Sequence, residues 1–229
     1  MMRQGIACGP PGGELEERAA VARESEVADA GAAAMLTPML SLLNQPGFQK
    51  RAMPLSVKAW HGMIRDGLAP KRAELIRGVI VEKMSKSILH AKLSDHLLDL
   101  FKFTLHQTHW VRQEAPLTFI DSEPEPDVSV VPGLRNEYAE HPVVASLVIE
   151  VSVSTLSEDR AMAEIYAEAG VVEYWVVNAA ARRIEVYREP REGAYSSVQT
   201  YAPGQMLTCA ALPVTVDVGA LFAELPAAQ

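Results

Sequence analysis

The stretch Pro124-Glu125-Pro126-Asp127-Val128-Ser129-Val130-Val131-Pro132 combines an apolar β-run with a carboxylate at its start. Proline has no backbone donor and stiffens the chain, so Asp127 is expected where the strand begins, facing an open end of the sheet. The run Leu147-Val148-Ile149-Glu150-Val151-Ser152 has a carboxylate among apolar residues. A buried carboxylate is costly unless it is paired or binds a cation. Both runs therefore predict strands that carry functional acids.

The rest of the pattern predicts a sheet with helices packed around it. Residues 73–76 and 79–82 flank Arg77-Gly78, which favours a β-hairpin. Apolar spacing predicts helices from Ser56 to about Gly67, from Ser85 or Ser87 to about Gln107, and over about 159–169. Six β-rich runs are bounded by Pro, Gly, Asn or Asp: 110–120, 127–132, 145–153, 173–178, 182–188 and 195–201. The predicted fold class is α/β or α+β, with a mixed central β-sheet flanked by helices.

The first part of the chain differs in composition from the rest. A Gly/Pro-rich segment at 9–13 precedes an Ala/Glu-rich stretch that has no aromatic residue and few large aliphatic residues. Such a composition buries too little apolar surface to offset the entropy of ordering. We therefore expect residues 1–47 to be a disordered or loosely helical extension and residues 48–229 to form a single domain.

Composition restricts the classes of function. The chain has 229 residues with 21 Lys+Arg and 29 Asp+Glu, a formal net charge of −8, so any contact with nucleic acid must use local positive charge. The two cysteines, Cys8 and Cys209, are not in metal-ligand spacing and indicate a reducing compartment. No membrane span or secretory signal is recognisable. The prediction is a cytoplasmic protein without a membrane partner.

The candidate site is built from acids that interrupt β-runs. Asp127 and Glu150 are 150 − 127 = 23 residues apart, enough for a strand, a turn and a returning neighbour. On adjacent strands their carboxylates can share one hard divalent cation. Glu74 opens the first hairpin strand, and His90 lies one turn after Lys86 at a helix start. An acidic metal pocket bordered by cations is a layout that hydrolyses phosphodiesters.

Simpler interpretations of the same four residues remain open. Asp127 could cap a turn after proline, and Glu150 could be satisfied by an arginine in the core. Glu74 could be a surface charge on an edge strand. His90 could be a solvated helix residue. The residue pattern alone does not distinguish these interpretations from a shared site.

Five segments in order resemble the Uma-type family of bacterial proteins described as restriction endonucleases. They are Glu74-Leu-Ile-Arg-Gly-Val-Ile, His90, Glu-Pro-Asp127-Val-Ser-Val-Val, Val-Ile-Glu150-Val-Ser, and Tyr166-Ala-Glu-Ala-Gly170-Val-Val-Glu173-Tyr-Trp-Val-Val. The resemblance runs from about residue 55 to 222. It implies the PD-(D/E)xK restriction-endonuclease-like fold. It also implies a Mg²⁺ or Mn²⁺ site built from Asp127 and Glu150, with Glu74 as an additional acid.

The chain departs from this family at its catalytic lysine. The resemblance implies a lysine two residues after the strand acid or on the following helix, but Ser152 stands two residues after Glu150. Met162 or Ala163 occupies the helix position, and no lysine follows Lys102. Inserting a lysine between Met162 and Ala163 is expected to restore the pattern and raise the rate.

Three cations are candidates for the missing role: Arg160, Lys86 and Lys92. Arginine binds phosphate well but is a poor proton shuttle. The sequence thus predicts a metal-dependent DNA endonuclease of weak or undetectable activity. Two alternatives stay open, a catalytically inactive nuclease-fold binding protein and a phosphohydrolase of small nucleotides. A homodimer is a further expectation, because cutting both strands of a duplex needs two sites.

Overall fold

A computed structural model describes residues 44–223, and the chain divides after Met53 into two units. The described part of the first unit, residues 44–53, contains one helical turn, α1 (Pro46–Gln49). The predicted extension over 1–47 therefore lies outside the described residues except for 44–47. The second unit, described over residues 54–223, holds the sheet and the candidate site.

Six strands form the central sheet of the second unit. They are β3 (His109–Gln113), β4 (Val128–Pro132), β5 (Leu147–Ser152), β6 (Glu173–Asn178), β7 (Arg183–Arg191) and β8 (Ala194–Tyr201). Their order in the sheet is the same as in the chain, and β5 and β6 are parallel while the other neighbours are antiparallel. The mixed α+β sheet predicted from the sequence is confirmed.

Four helices accompany the sheet: α2 (Val57–Arg65), α3 (Ile88–Leu105), α4 (Leu156–Glu168) and α5 (Val218–Ala223). Serine caps begin the first two, because Ser56 Oγ accepts from Ala59 N at 3.2 Å and Ser87 Oγ accepts from His90 N at 3.2 Å. Ser87, rather than Ser85, is thus the start of α3. Across residues 44–223 no helix is long and apolar enough to cross a membrane.

The sheet has an apolar core on each face, as the two-residue alternation of a strand requires. On one face, α3 and α5 pack Phe101 and Phe222 against β-residues that include Trp175, and the Phe101 and Trp175 ring centroids are 5.7 Å apart. On the other face, α4 packs Tyr166 beside Tyr174, with centroids 4.8 Å apart. Because α4 connects the parallel strands β5 and β6, it holds its side chains above the middle of the sheet.

The predicted hairpin is present as β1 (Ala73–Ile76) and β2 (Val79–Glu82). Arg77 and Gly78 form its turn with φ of 49° and 73°, the left-handed pair that a two-residue hairpin turn requires. A Cβ at Gly78 would lie 2.3 Å from Pro54 Cβ, so the position also needs glycine for space. The hairpin brings Glu74 toward the main sheet because Glu123 N donates to Leu75 O at 2.6 Å.

Several boundaries differ from the sequence prediction, and five elements were not predicted. The run 110–120 is a strand only to Gln113, since Glu114 adopts a φ of 45° and Pro116 has no N–H for a ladder. Helix α4 begins at Leu156, three residues before the predicted start. The unpredicted elements are α1, the 3₁₀ turn Arg135–Glu137, α5 and the short strands β9 (Met206–Thr208) and β10 (Thr215–Asp217).

Glu173 at the start of β6 is a completely buried carboxylate. It accepts from Arg188 Nε at 2.9 Å, Trp175 Nε1 at 2.8 Å, Ala210 N at 2.7 Å and Cys209 Sγ at 3.1 Å. These donors replace the water that burial removes. Glu173 thus joins β6, β7 and the segment after β9 through one side chain.

We predict that Glu173→Ala lowers the free energy of unfolding by about 3–5 kcal/mol, because it leaves the Arg188 guanidinium without its buried partner. Urea denaturation measures the change. Arg191→Ala is the control, since the Arg191 side chain is 75% exposed and its loss should cost less than about 0.5 kcal/mol. A loss below about 1 kcal/mol for Glu173→Ala would contradict this role.

Candidate active site

The segment before β4 alternates carboxylates with prolines, Glu123-Pro124-Glu125-Pro126-Asp127. Its prolines have no N–H, and two of the remaining amides bind acidic side chains. Glu125 N donates to Glu74 Oε2 at 3.0 Å, and Asp127 N donates to Glu150 Oε2 at 3.1 Å. The backbone of this segment therefore fixes two of the predicted site acids.

Asp127 lies opposite Glu150 across the β4–β5 pair, whose register aligns Val128 with Ile149. Its Oδ2 accepts from Val151 N at 2.7 Å and lies 2.8 Å from His90 Nε2. Its Oδ1 accepts from Lys86 Nζ at 2.6 Å. Burial acts to raise the pKa of Asp127, but the hydrogen bond and charge of His90 and the ammonium of Lys86 outweigh it and lower the pKa. Asp127 is therefore ionised.

Glu150 has the opposite electrostatics. Its Oε1 accepts from Tyr166 Oη at 2.8 Å, and burial together with the charges of Asp127 and Asp159 raises the pKa of Glu150 well above its ordinary value. Burial also raises the pKa of Glu74, with the charges of Glu125 and Asp127 acting in the same direction. Nearby positive charge therefore does not balance the negative charge of ionised Glu150 and Glu74, and a bound cation would do so.

The predicted acids line one cavity of about 400 Å³. Its walls hold seven carboxylates against two lysines and one histidine. The carboxylates are Glu74, Glu82, Glu125, Asp127, Glu150, Glu158 and Asp159; the basic residues are Lys83, Lys86 and His90. The structure therefore brings together four of the five residues predicted as catalytic, and these include all three predicted metal ligands.

Arg160 is the predicted site residue that lies elsewhere. It is absent from the cavity wall and binds Glu185 on β7, with Nε to Oε2 at 2.9 Å and Nη2 to Oε1 at 2.5 Å. Helix geometry explains this placement, because Arg160 is about 100° around α4 from its neighbour Asp159, which does line the cavity. Lys92 is exposed on α3 and is also absent from the wall.

Lys86 is the candidate cation that reaches the acids. It contacts Asp127 and also Glu114 Oε1 at 3.0 Å. Burial acts to lower the pKa of Lys86, but these two carboxylates outweigh it and raise the pKa. Lys86 is consequently held as an ammonium.

Sequence reasoning missed three contributors to the site: Glu125, Asp159 and Tyr166. Glu125 contacts Lys83, and the Glu-Pro-Glu-Pro-Asp alternation could have revealed it. Asp159 accepts from Thr155 Oγ1 at 2.7 Å on the first turn of α4. Nothing in the sequence pattern signals that Tyr166 binds Glu150.

Carboxylate oxygens are the ligands that Mg²⁺ and Mn²⁺ prefer, and Asp127, Glu150 and Glu74 could supply them. The negative charge of Glu150 and Glu74, which nearby cations do not balance, fits such an ion. Within residues 44–223, no three His, Cys, Asp or Glu side chains are arranged as a ready-made metal site.

The order of the acids and strands corresponds to a known family. A profile of the Uma2 family, described as "Putative restriction endonuclease", matches residues 67–220, which is more than half of the chain. The chain belongs to the Uma2 family. This confirms the resemblance seen in the sequence, and the matched range includes every residue of the acidic cavity.

One solved structure supports the same fold for this Uma2 protein. The crystal structure of a "putative nuclease belonging to DUF820" from Anabaena variabilis ATCC 29413 is similar with a TM-score of 0.59, over 74% of this chain and 98% of that chain. The two sequences are 15% identical, so the likeness shows a shared fold. Among curated proteins, none matches this chain significantly.

Glu150→Gln is expected to stabilise the metal-free protein at neutral and alkaline pH. Because folding raises the pKa of Glu150, its contribution to stability falls as the pH rises above the ordinary value of 4.5. Glutamine has no such proton to lose. Melting temperatures in chelator from pH 4.5 to 8 should show a growing advantage for the variant. A gain of about 1 kcal/mol corresponds to about 2–4 °C for a chain of this size.

Glu158→Gln is the matched control for this pH series, because Glu158 is an exposed glutamate at the same cavity. Its effect on melting temperature should be small at every pH. A lower melting temperature of Glu150→Gln at pH 8 would mean that the native protein prefers the charged carboxylate, against the electrostatics described above.

Proposed function

We propose that this Uma2 protein is a metal-dependent endonuclease that hydrolyses DNA phosphodiester bonds at the acidic cavity. The observation that carries the proposal is the placement of Glu74, Asp127 and Glu150 beside Lys86 and His90 in one cavity. Excess carboxylate with a few fixed cations would be an unfavourable site for a phosphate on its own. It becomes favourable when a divalent cation is held by the acids.

A bound Mg²⁺ or Mn²⁺ would polarise the phosphate and lower the pKa of a water nucleophile. Asp127 and Glu150 would hold it, with Glu74 as the additional acid. The protein's part is to keep these oxygens in place. Val151 N and Asp127 N do so by donating to Asp127 Oδ2 and Glu150 Oε2.

Lys86 is the side chain we propose for the role of the family lysine. Because its ammonium stays charged, it would bind a phosphate oxygen and stabilise developing negative charge rather than transfer a proton. Arg160 is a poor alternative, since its guanidinium is engaged by Glu185 outside the cavity. His90, joined to Asp127 through Nε2, would position the carboxylate.

The surroundings of the cavity favour a polymer over a small nucleotide. A depression of about 210 Å³ is lined by four basic residues and by the two acids Glu114 and Glu125, and it shares Lys83, Lys86 and Glu125 with the acidic cavity. Lys71 and Arg72 extend this basic border, and Arg72 is held in place by Lys83 O at 3.0 Å. Such a border could bind phosphates next to the one that reacts.

The principal prediction is cleavage of plasmid DNA that requires Mg²⁺ or Mn²⁺ and stops in chelator. Asp127→Asn should abolish it. Lys86→Ala should reduce the rate by about 10²-fold or more, because a charged group that stabilises the transition state is lost, and Lys86→Arg should retain part of it. Arg160→Ala should remain within about threefold of the unmodified protein. Supercoiled-to-nicked conversion measures all four variants.

Three outcomes would contradict the proposal. Full activity in Lys86→Ala with a large loss in Arg160→Ala would give the role to Arg160. DNA binding without cleavage under any metal condition would favour the interaction-protein alternative. A preference for free nucleotides over plasmid would favour the phosphohydrolase.

Met162→Lys is predicted to raise the rate of DNA cleavage. Met162 lines the cavity at the position where the family lysine is expected. An insertion after Met162 would instead rotate the rest of α4 by about 100°, which would move Tyr166 from Glu150. Single-turnover cleavage by Met162→Lys and by the control Met162→Ala separates added charge from lost packing. Equal cleavage rates for Met162→Lys and Met162→Ala would contradict the prediction.

A homodimer and a cytoplasmic location also belong to this proposal. A duplex cut on both strands requires two cavities, which a two-fold dimer would supply. Sedimentation with and without a DNA duplex tests the dimer.

A further inference from the structure

A second cavity of about 670 Å³ is built from different side chains than the acidic cavity. Its wall includes Arg65 on α2, Trp110 on β3, and Arg135 and Tyr138 in and after the 3₁₀ turn that follows β4. A cavity of this size is in the range that holds small ligands or one unit of a polymer. No residue of the proposed hydrolytic centre contributes to its wall.

Two aromatic rings form one part of this wall. The ring centroids of Trp110 and Tyr138 are 5.5 Å apart and tilted by 48°. Arg112, which is buried, lies over Trp110 with its guanidinium carbon 4.6 Å from the ring centroid. The Tyr138 hydroxyl donates to Pro132 O, which fixes its ring. The aromatic wall is therefore held in place before any ligand arrives.

Two arginines of the wall are available to bind an anion. Arg65 and Arg135 are exposed, and neither forms an ion pair with a residue of the described part of the chain. Glu123, which is 3% exposed, contacts His61 Nε2 through its Oε2. The remaining acid of the wall is Glu140. The guanidinium groups can thus bind an incoming phosphate in bidentate geometry.

We infer that this second cavity binds a nucleotide, with the base against Trp110 and Tyr138 and the phosphate on Arg65 and Arg135. Any base can stack on the aromatic faces, and the arginines can bind the phosphate. The cavity would therefore recognise a base joined to a phosphate, without preference for a particular base. This inference does not depend on hydrolysis at the acidic cavity. A free nucleotide and an unpaired nucleotide of a DNA strand present the same chemistry.

The position of the second cavity is compatible with one strand reaching both sites. Glu123 lines the second cavity and Asp127 the acidic one, and four residues of extended chain span at most about 14 Å. That distance is about four base-pair steps. A strand whose phosphate lies at Asp127 could therefore place a nearby unpaired nucleotide against Trp110.

The test uses tryptophan fluorescence and calorimetry with dAMP. The three tryptophans are Trp60, Trp110 and Trp175, and Trp110 is the one that is not buried. Stacking of dAMP should quench its emission. Deoxyadenosine lacks the phosphate and deoxyribose 5-phosphate lacks the base, so each should bind at least about fivefold more weakly than dAMP. A dA hexamer that binds more tightly than dAMP would identify a strand, and equal affinity would identify the free nucleotide.

Variants locate the binding site by calorimetry. Arg135→Ala and Trp110→Ala should each weaken dAMP binding by at least about fivefold. Arg183→Ala, which replaces an exposed arginine on β7 outside both cavities, should leave it unchanged. Arg135 is exposed, so its variant should fold even where Trp110→Ala does not. Absence of dAMP and hexamer binding at millimolar concentration, or binding that Arg135→Ala leaves unaltered, would overturn the inference.

Discussion

Charge compensation along residues 123–127 is the constraint on which the candidate site depends. The segment carries an acid at every second position, and prolines between them remove backbone donors that could otherwise have satisfied the carboxylates. Each acid has a basic partner from another element: Glu123 has His61, Glu125 has Lys83, and Asp127 has Lys86 and His90. The same contacts therefore connect α2, the residue after β2 and the start of α3 to the segment that leads into β4.

Compensation is uneven, and it distinguishes Glu173 from Glu150, one of the acids proposed to hold the metal. Glu173 is completely buried, yet one arginine and several further donors satisfy it, so it stabilises the sheet. Glu150 receives a tyrosine hydroxyl and a backbone amide but no cation, and its pKa is raised. A carboxylate left short of positive charge is destabilising unless another cation completes its surroundings. Shifted ionisation of this kind is common at functional sites.

Most of the fold could be predicted because strands and helices leave local patterns. Residues 173–178 were predicted as β6 with the same bounds, and a serine cap marked α3. The placement of Asp127 beside Glu150 followed from two interrupted β-runs. The Arg160–Glu185 pair could not be foreseen, because it depends on how α4 is rotated over β7. The link from Tyr166 to Glu150 depends on the same rotation.

The role proposed for Lys86 would keep a cation at the site although its location in the sequence differs from that of the family lysine. A lysine on α4 would approach the acids from a rigid helix, whereas Lys86 approaches from the segment between β2 and the Ser87 cap of α3. Asp127 therefore has two roles. Its Oδ1 attaches the β2–α3 segment through Lys86, and its carboxylate, held at Oδ2 by Val151 N and His90, contributes negative charge to the cavity. Any change at Asp127 must therefore alter both the charge of the cavity and the attachment of the β2–α3 segment. For this reason asparagine, which keeps the shape and one acceptor oxygen, separates the two roles better than alanine does.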